Sequence, residues 1–311
     1  MTSALKNLSA KSPVRIKVTR DALGRDVHSS TWIEGNMLSL AQVAALVDGK
    51  DIDAELQQKT EVKNCIAVLR WIMDHKKSPV TASQILVLHA RMTKDLLASD
   101  RSGHWRHVQN YVVNAKRQVI FTPPPPTEVT KRMSELLAWL TKSKQEHTII
   151  RSAIFHHEFA AIHPFVDGNG RMARALSQWI LLSGDYDPAH SLGLDEYFAA
   201  DRAKYYQMIN ETHDIDEDYT HWIEYFSTGL LQSMEKLAKR LRSVKMDGGE
   251  WTLKQRELID LLNKEGVLGS GDICRAMSVK RARVNQLITP LVAAGVVVKE
   301  GHTRSARYRI V

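Results

Sequence analysis

The amino-acid sequence predicts an all-α fold, and three observations carry the prediction. Apolar residues recur at helical spacing along most of the 311 residues, and capping residues and glycines mark where the runs begin and end. The exceptions shrink to two short extended stretches, 108–121 and 296–310.

Taken in order, residues 1 to about 25 are basic and aperiodic, with Lys6, Lys11, Arg15, Lys17, Arg20 and Arg25, which predicts a solvated arm. Ser29 to Asn36 reads as a short helix closed by Gly35. Ser39 to Val47 and Ala54 to Met73 follow as helices, the second carrying Leu56, Val62, Ile66, Leu69 and Trp71. Thr81 caps another, running through Ile85, Leu88, Met92 and Leu96. Val112-Val113 and Val119-Ile120-Phe121 flank Asn114 to Arg117, which predicts a hairpin, and Pro123 to Pro126 then forces extended backbone. Helical patterns resume at Glu128–Lys142, Thr148–Ile162, Arg171–Leu182, Tyr197–Asn210 and Tyr219–Leu241. Asp247-Gly248-Gly249 marks a boundary, beyond which come helices at Leu253–Asn263, Asp272–Met277 and Lys280–Ala294, then a hairpin of Val296–Lys299 and Ala306–Ile310. Three units result: an N-terminal arm and helix (1–36), a large helical domain (37–246) and a small C-terminal domain (251–311).

A net charge of +8, from 43 basic and 35 acidic residues, attracts phosphate-bearing partners without choosing between nucleotide and nucleic acid. Cys65 and Cys274 stand far apart, so neither a disulfide framework nor a four-cysteine zinc cluster is available. The first residues lack a signal-peptide core, and no apolar run approaches the roughly twenty residues that span a bilayer. A soluble, cytoplasmic protein with no membrane contact is expected.

The chemistry concentrates in His163 to Arg174, His-Pro-Phe-Val-Asp-Gly-Asn-Gly-Arg-Met-Ala-Arg. Gly168-Asn169-Gly170 can aim several N–H groups at one point at the positive end of the helix that follows, which makes a phosphate cradle. Arg171 and Arg174 emerge from one face of that helix and can clamp further phosphate oxygens. Asp167 offers the single carboxylate that a phosphate-bridging magnesium ion needs. His163 is the residue left to take a proton. Two other readings are weaker. Gly168-x-Gly170-x-x-Ala173 satisfies a loose dinucleotide fingerprint, but helix and His-Pro precede it where a strand should. His156, His157, Glu158 and His163 invite zinc, yet residue 161 is alanine where His-Glu-x-x-His would need histidine.

This run resembles the signature of Fic-domain proteins, His-Pro-Phe-x-Asp/Glu-Gly-Asn-Gly-Arg-x-x-Arg, at every specified position. The resemblance implies a helical Fic core with a β-hairpin flap that pairs with a target's backbone. It also implies transfer of AMP from ATP to a Ser, Thr or Tyr hydroxyl of a target protein, and self-modification. His163 would then be the base, Asp167 the magnesium ligand, and Gly168, Asn169, Gly170, Arg171 and Arg174 the ATP-binding set. Ser30, Glu34 and Gly35 are similar to that family's inhibitory motif Ser/Thr-x-x-x-Glu-Gly/Asn, implying that Glu34 pairs with Arg174 and holds the enzyme off. Tyr205 and Tyr206 match an aromatic pair that lines the adenine pocket in relatives. His213 departs from the asparagine many relatives carry seven residues later, which bears on preference for the base. Removal of AMP, with Glu34 orienting a water, is an alternative; Gly170 argues against phosphoryl transfer.

The last sixty residues resemble a winged helix-turn-helix. Lys280, Arg281, Arg283, Asn285 and Gln286 open its third helix, where base edges and phosphates would be met, and Arg304, Arg307 and Arg309 could follow the backbone from the wing. Pro290 would kink that helix. DNA is one expected partner of this unit; a second copy of the chain or a docking protein is the other. A DNA-binding regulator whose core only senses nucleotide is the alternative from a different functional class.

Overall fold

The computed structural model of the chain describes residues 13–113, 116–184, 186, 193–214, 218–243, 251–293, 296–301 and 306–310. It is helical almost throughout. Helix α1, Pro13–Ile33, contradicts the solvated arm expected up to residue 25. Val18, Ala22, Leu23 and Val27 are buried along it, together with Asp26, Ser29, Ser30 and Thr31. Its inward face mixes apolar and polar residues, which is why no apolar period marked it. The short helix expected at 29–36 is the last stretch of α1. There Gly35 N–H donates to Trp32 O (2.9 Å) and Asn36 N–H to Thr31 O (3.0 Å), with Gly35 at φ +100°. That paired closure at a positive-φ glycine fixes Glu34 at the helix end.

Helix α2 (Leu40–Val47) starts at a reciprocal Ser39–Gln42 cap, α3 spans Leu56–Asp74, and Thr81 caps α4 (Ala82–Met92). The hairpin forms from β1 (Val112–Val113) and β2 (Val119–Phe121), with Val113, Val119 and Ile120 exposed. Its tip, Asn114-Ala115, lies outside the described residues. Pro126 then starts α5, Pro126–Lys142, as a first-turn proline does well. Helices α6 (Thr148–Ile162) and α7 (Asn169–Ser183) form the most extensive helix pair among the described residues. Phe155, Phe159, Phe165 and Trp179 fill the core around them.

The single helix expected over 197–210 is two, α8 (Leu194–Ala200) and α9 (Arg202–Asp214), because Asp201 adopts an extended φ of −139° between them. With α10 (Thr220–Ser243) they enclose a second cluster of Phe198, Tyr205, Trp222 and Phe226. The boundary expected at Asp247–Gly249 lies outside the described residues.

The C-terminal unit holds α11 (Leu253–Glu265), α12 (Ser270–Met277) and α13 (Arg281–Ala293), and Pro290 sits inside α13 without ending it. Strands β4 (Val297–Glu300) and β5 (Arg307–Ile310) pair antiparallel, and a short β3 (Leu268–Gly269), unforeseen in the sequence, adds to β5 to give the order β3-β5-β4. This unit touches the rest of the chain at Gly49, where an added Cβ would lie 2.6 Å from Arg309 Nη2, and at Ile16, which packs on its core.

Candidate active site

The motif residues fall in the loop between α6 and α7, and the loop is held by its own side chains. Asn169 is buried; its Oδ1 accepts from Phe165 N–H (2.9 Å) and its Nδ2 donates to Phe165 O (2.8 Å). The Asn169 side chain therefore closes the loop, and only its backbone N–H is left for the cradle. Asn110 adds a second donor to Phe165 O (2.7 Å). Beneath lies His89, stacked on Phe165 at 3.6 Å. Gly103 N–H donates to its Nδ1 (2.9 Å), so its Nε2–H donates to Asp167 O (3.0 Å). Burial pushes the His89 imidazole down to about 4, which keeps it neutral in that role.

His163 ends α6 in the left-handed region, φ +50° and ψ +56°, a conformation that a side chain other than glycine adopts only under constraint. The constraint is Arg106, 2% exposed, whose Nε–H donates to His163 O (2.8 Å) and whose N–H donates to Pro164 O (2.8 Å). His163 Nδ1–H donates to Ala160 O (3.2 Å), which leaves the Nε2 lone pair as the basic one. Burial lowers its pKa, with Arg106 acting the same way, against the opposing bond to Ala160. The imidazole is thus kept as a free base at neutral pH.

On the other side of the loop is an anion site. Gly168, at φ +79°, precedes α7, and the first bond of that helix runs from Met172 N–H to Gly168 O (3.0 Å). The N–H groups of Asn169, Gly170 and Arg171 therefore have no partner within the helix and point out of its positive end. Arg171 is buried and reaches Asp167 Oδ2 at 3.4 Å through one Nη; its Nε and other Nη are buried with no partner among the described residues. Arg174 is wholly buried: Nε–H donates to Ser30 Oγ (2.9 Å), one Nη donates to Ser30 O (2.9 Å) and Glu34 Oε1 (2.7 Å), and Nη1 has no partner among the described residues. A Cβ on Gly170 would lie 2.3 Å from Glu34 Oε1. The Glu34 carboxylate therefore sits on the cradle. Burial would raise its pKa, but Arg174 outweighs burial and lowers it. These buried, unfilled N–H groups fit a polyphosphate.

Asp167 is exposed, with Oδ1 accepting from Gly168 N–H (2.6 Å). One carboxylate beside a phosphate cradle fits magnesium held mainly by phosphates and water, and among the described residues no group of three His, Cys, Asp or Glu offers an all-protein metal cage. The tyrosine pair separates: Tyr205 is buried under Arg174, 6.0 Å from its guanidinium carbon, with its hydroxyl bonded to His156 Nε2 (2.9 Å), whereas Tyr206 stays partly exposed beside Arg202. His156 and His157 are core residues, the latter bonded to Ile209 O (3.1 Å). The side chain of His213 lies outside the described residues.

The chain is similar to known proteins in both sequence and fold. Residues 79–181 match the Fic/DOC family. The chain is 30% identical over 197 residues to a protein adenylyltransferase Fic of Aedes aegypti, and 27% identical over 207 residues to one of Nematostella vectensis. Those alignments cover 60% and 64% of this chain but 37% and 45% of the relatives, so the chain spans less than half their length. Its fold is similar to the crystal structure of a Fic family protein from Desulfovibrio desulfuricans G20, with a TM-score of 0.66 and 26% identity over 94% of this chain and 87% of that one. Fic-1 from C. elegans shares the fold at a TM-score of 0.64 and 23% identity, covering 78% of this chain and 70% of that one. Among the described residues no helix is long and apolar enough to cross a membrane.

Sequence reasoning missed His89, Arg106 and Asn110. Each acts through contacts with residues distant in sequence, and none belongs to a local pattern that would have drawn attention to it.

Proposed function

We propose that this protein transfers AMP from ATP to a hydroxyl side chain of a target protein, and that Glu34 holds it off until displaced. The observation that carries the reading is the Glu34 carboxylate on the Gly170 cradle, 2.7 Å from Arg174, where a carboxylate stands in for a phosphate. With Glu34 removed, the α7 N–H groups, Arg171 and Arg174 bind the triphosphate. Magnesium, held by Asp167, would neutralise phosphate charge. His163 Nε2 takes the proton of the target hydroxyl as its oxygen bonds to the α-phosphorus; the bond to the β-phosphate breaks and pyrophosphate leaves. The exposed edge of the β1–β2 hairpin is suited to holding an extended target segment beside His163. The test is intact-mass measurement of the Glu34→Gly protein with ATP and magnesium. Addition of one AMP to the protein or to an added target supports the reading, and ATP turnover with no such adduct on either overturns it.

For the C-terminal unit we propose a winged-helix role in contacting DNA, on the observation that Lys280, Arg281, Arg283, Asn285 and Gln286 are all exposed at the start of α13. The wing contributes less than its sequence suggests. Arg309 is turned toward Glu300 (2.6 Å) and Gly49, and Arg304 lies outside the described residues. Removing Lys280 and Arg281 should flatten the salt dependence of DNA binding by about one unit per lost phosphate contact. No binding at low salt would leave this unit a docking surface, for another protein or for a second copy of the chain.

A further inference from the structure

Arg174 has a second carboxylate neighbour. Asp195, at the start of α8, is 2% exposed, and its Oδ2 lies 3.7 Å from Arg174 Nε. Gln178 Nε2 donates to its Oδ1 (3.0 Å), and the neighbouring Ser30 hydroxyl helps to favour its charged form. Arg174 Nε–H donates to Ser30 Oγ (2.9 Å), so Ser30 and Asp195 meet the same edge of the guanidinium. The charged and titratable groups around Asp195 are Arg174 on α7, Asp26 on α1 and Cys65 on α3; neighbouring Glu196 is paired instead with Arg25 and Lys236. Glu34 approaches Arg174 from the solvent side with a side chain 32% exposed, whereas Asp195 approaches from inside. Only one of the two can leave.

We propose that Asp195 is the standing counter-ion of Arg174, a positioning residue that keeps the guanidinium fixed and partly neutralised both when Glu34 occupies the cradle and when a phosphate replaces it. A buried guanidinium that lost Glu34 with no other carboxylate nearby would be a costly unpaired charge. With Asp195 in place the exchange of Glu34 for phosphate starts from a compensated state, and the bound anion is held less tightly than a bare arginine would hold it. Burial raises the Asp195 carboxyl to about 7 against the pull of Arg174, and Asp26 adds to the rise. Anion binding should therefore tighten as acid neutralises Asp195.

The inference rests on the phosphate-site reading above, and the experiment separates the two. The full-length Glu34→Gly protein and its Glu34→Gly/Asp195→Asn partner are titrated by calorimetry with inorganic tripolyphosphate, which carries the phosphate chain without base or sugar. At pH 8 the double variant should bind roughly tenfold more tightly, the change expected for removing one opposing charge at this range. The advantage should narrow toward parity at pH 6, as the remaining Asp195 takes up its proton. A loss of packing alone would not be expected to tighten anion binding, so this sign distinguishes a charged counter-ion from mere structural support. Equal or weaker binding by a double variant with an unchanged melting midpoint overturns the proposal, as does an advantage that is constant with pH. If Asp195→Asn does not fold, Asp195→Ser, which still accepts from Gln178, takes its place; failure of both would make Asp195 a stability residue and overturn the proposal. No tripolyphosphate binding by the Glu34→Gly protein itself would remove the phosphate site, and the inference with it.

Discussion

The two sides of the α6–α7 loop are built differently. On the base side the groups that hold the loop are paired: His163 has its carbonyl bonded to Arg106 and its Nδ1–H to Ala160, while Phe165 is tied to Asn169 and Asn110. On the anion side, N–H groups of Arg171 and Arg174 are buried without partners among the described residues, and the carboxylate that reaches in from the solvent side, Glu34, stands more than a hundred residues earlier in the chain. The base side is assembled in advance; the anion side is completed by whatever occupies it. A site of this kind can be switched by changing the occupant, with no need to rebuild the chemistry.

The largest effect should come from breaking the finished side. His163→Ala removes the base while leaving cradle and arginines intact, so AMP transfer should fall by about a hundredfold to ten-thousandfold. ATP affinity, measured by equilibrium titration, should stay within a few-fold. Retained transfer would show that the base lies elsewhere.

Next is the occupant of the open side. A charge-assisted pair such as Glu34–Arg174 contributes about 1.5–3 kcal/mol, so Glu34→Gly should raise transfer roughly tenfold to hundredfold. Adding Arg174→Ala should abolish that gain, since the arginine the phosphate needs is then missing too; all four members of the cycle are required to assign the effect to the pair. Lower transfer in Glu34→Gly, with loss of AMP removal from a modified target, would instead make Glu34 the residue that orients water.

A third variant tests whether the loop really is stapled by Asn169. Asn169→Ala deletes both bonds to Phe165 and should lower stability by about 1–3 kcal/mol, read as a lower denaturation midpoint. Transfer should fall with it, because the N–H groups of the cradle would no longer be aimed at one point. An unchanged midpoint would show that Asn110 alone holds the turn.

The same contrast explains what the sequence could and could not disclose. The signature from His163 to Arg174 is local, so its residues could be assigned roles from spacing alone, and the helices flanking it follow strong apolar periods. Helix α1 escaped because its buried face carries Asp26, Ser29, Ser30 and Thr31, residues whose inward placement depends on partners far along the chain. Asp201 breaks a helical pattern that periodicity would continue, and β3 is only two residues long. Arg106 and His89 look like surface residues in the sequence; the fold buries them because their hydrogen bonds run to a loop some sixty to eighty positions away. Tyr205, one of the aromatic pair noted in the sequence, is packed beneath the arginine.

The smallest effect, and the one that probes the finished side most finely, is in the pH profile. His163 has its pKa depressed by burial and by Arg106, so its protonation, which would block it as a base, is centred below the ordinary imidazole value of about 6.5. Above that value the neutral form predominates, and the fraction competent declines as pH falls through the lowered pKa. In the Glu34→Gly protein, where release of the carboxylate no longer contributes, the acid limb of kcat/KM should therefore lie below about 6.5. Because the nearby Asp167 carboxylate raises the pKa of His163, removing that charge should move the limb further down. Transfer in an Asp167→Asn variant will be weaker, but the position of the limb is independent of its height. A limb at or above the ordinary imidazole value would mean that His163 is more open to water in the working enzyme than the burial seen here allows, and that the base side, too, is rearranged when the anion site fills.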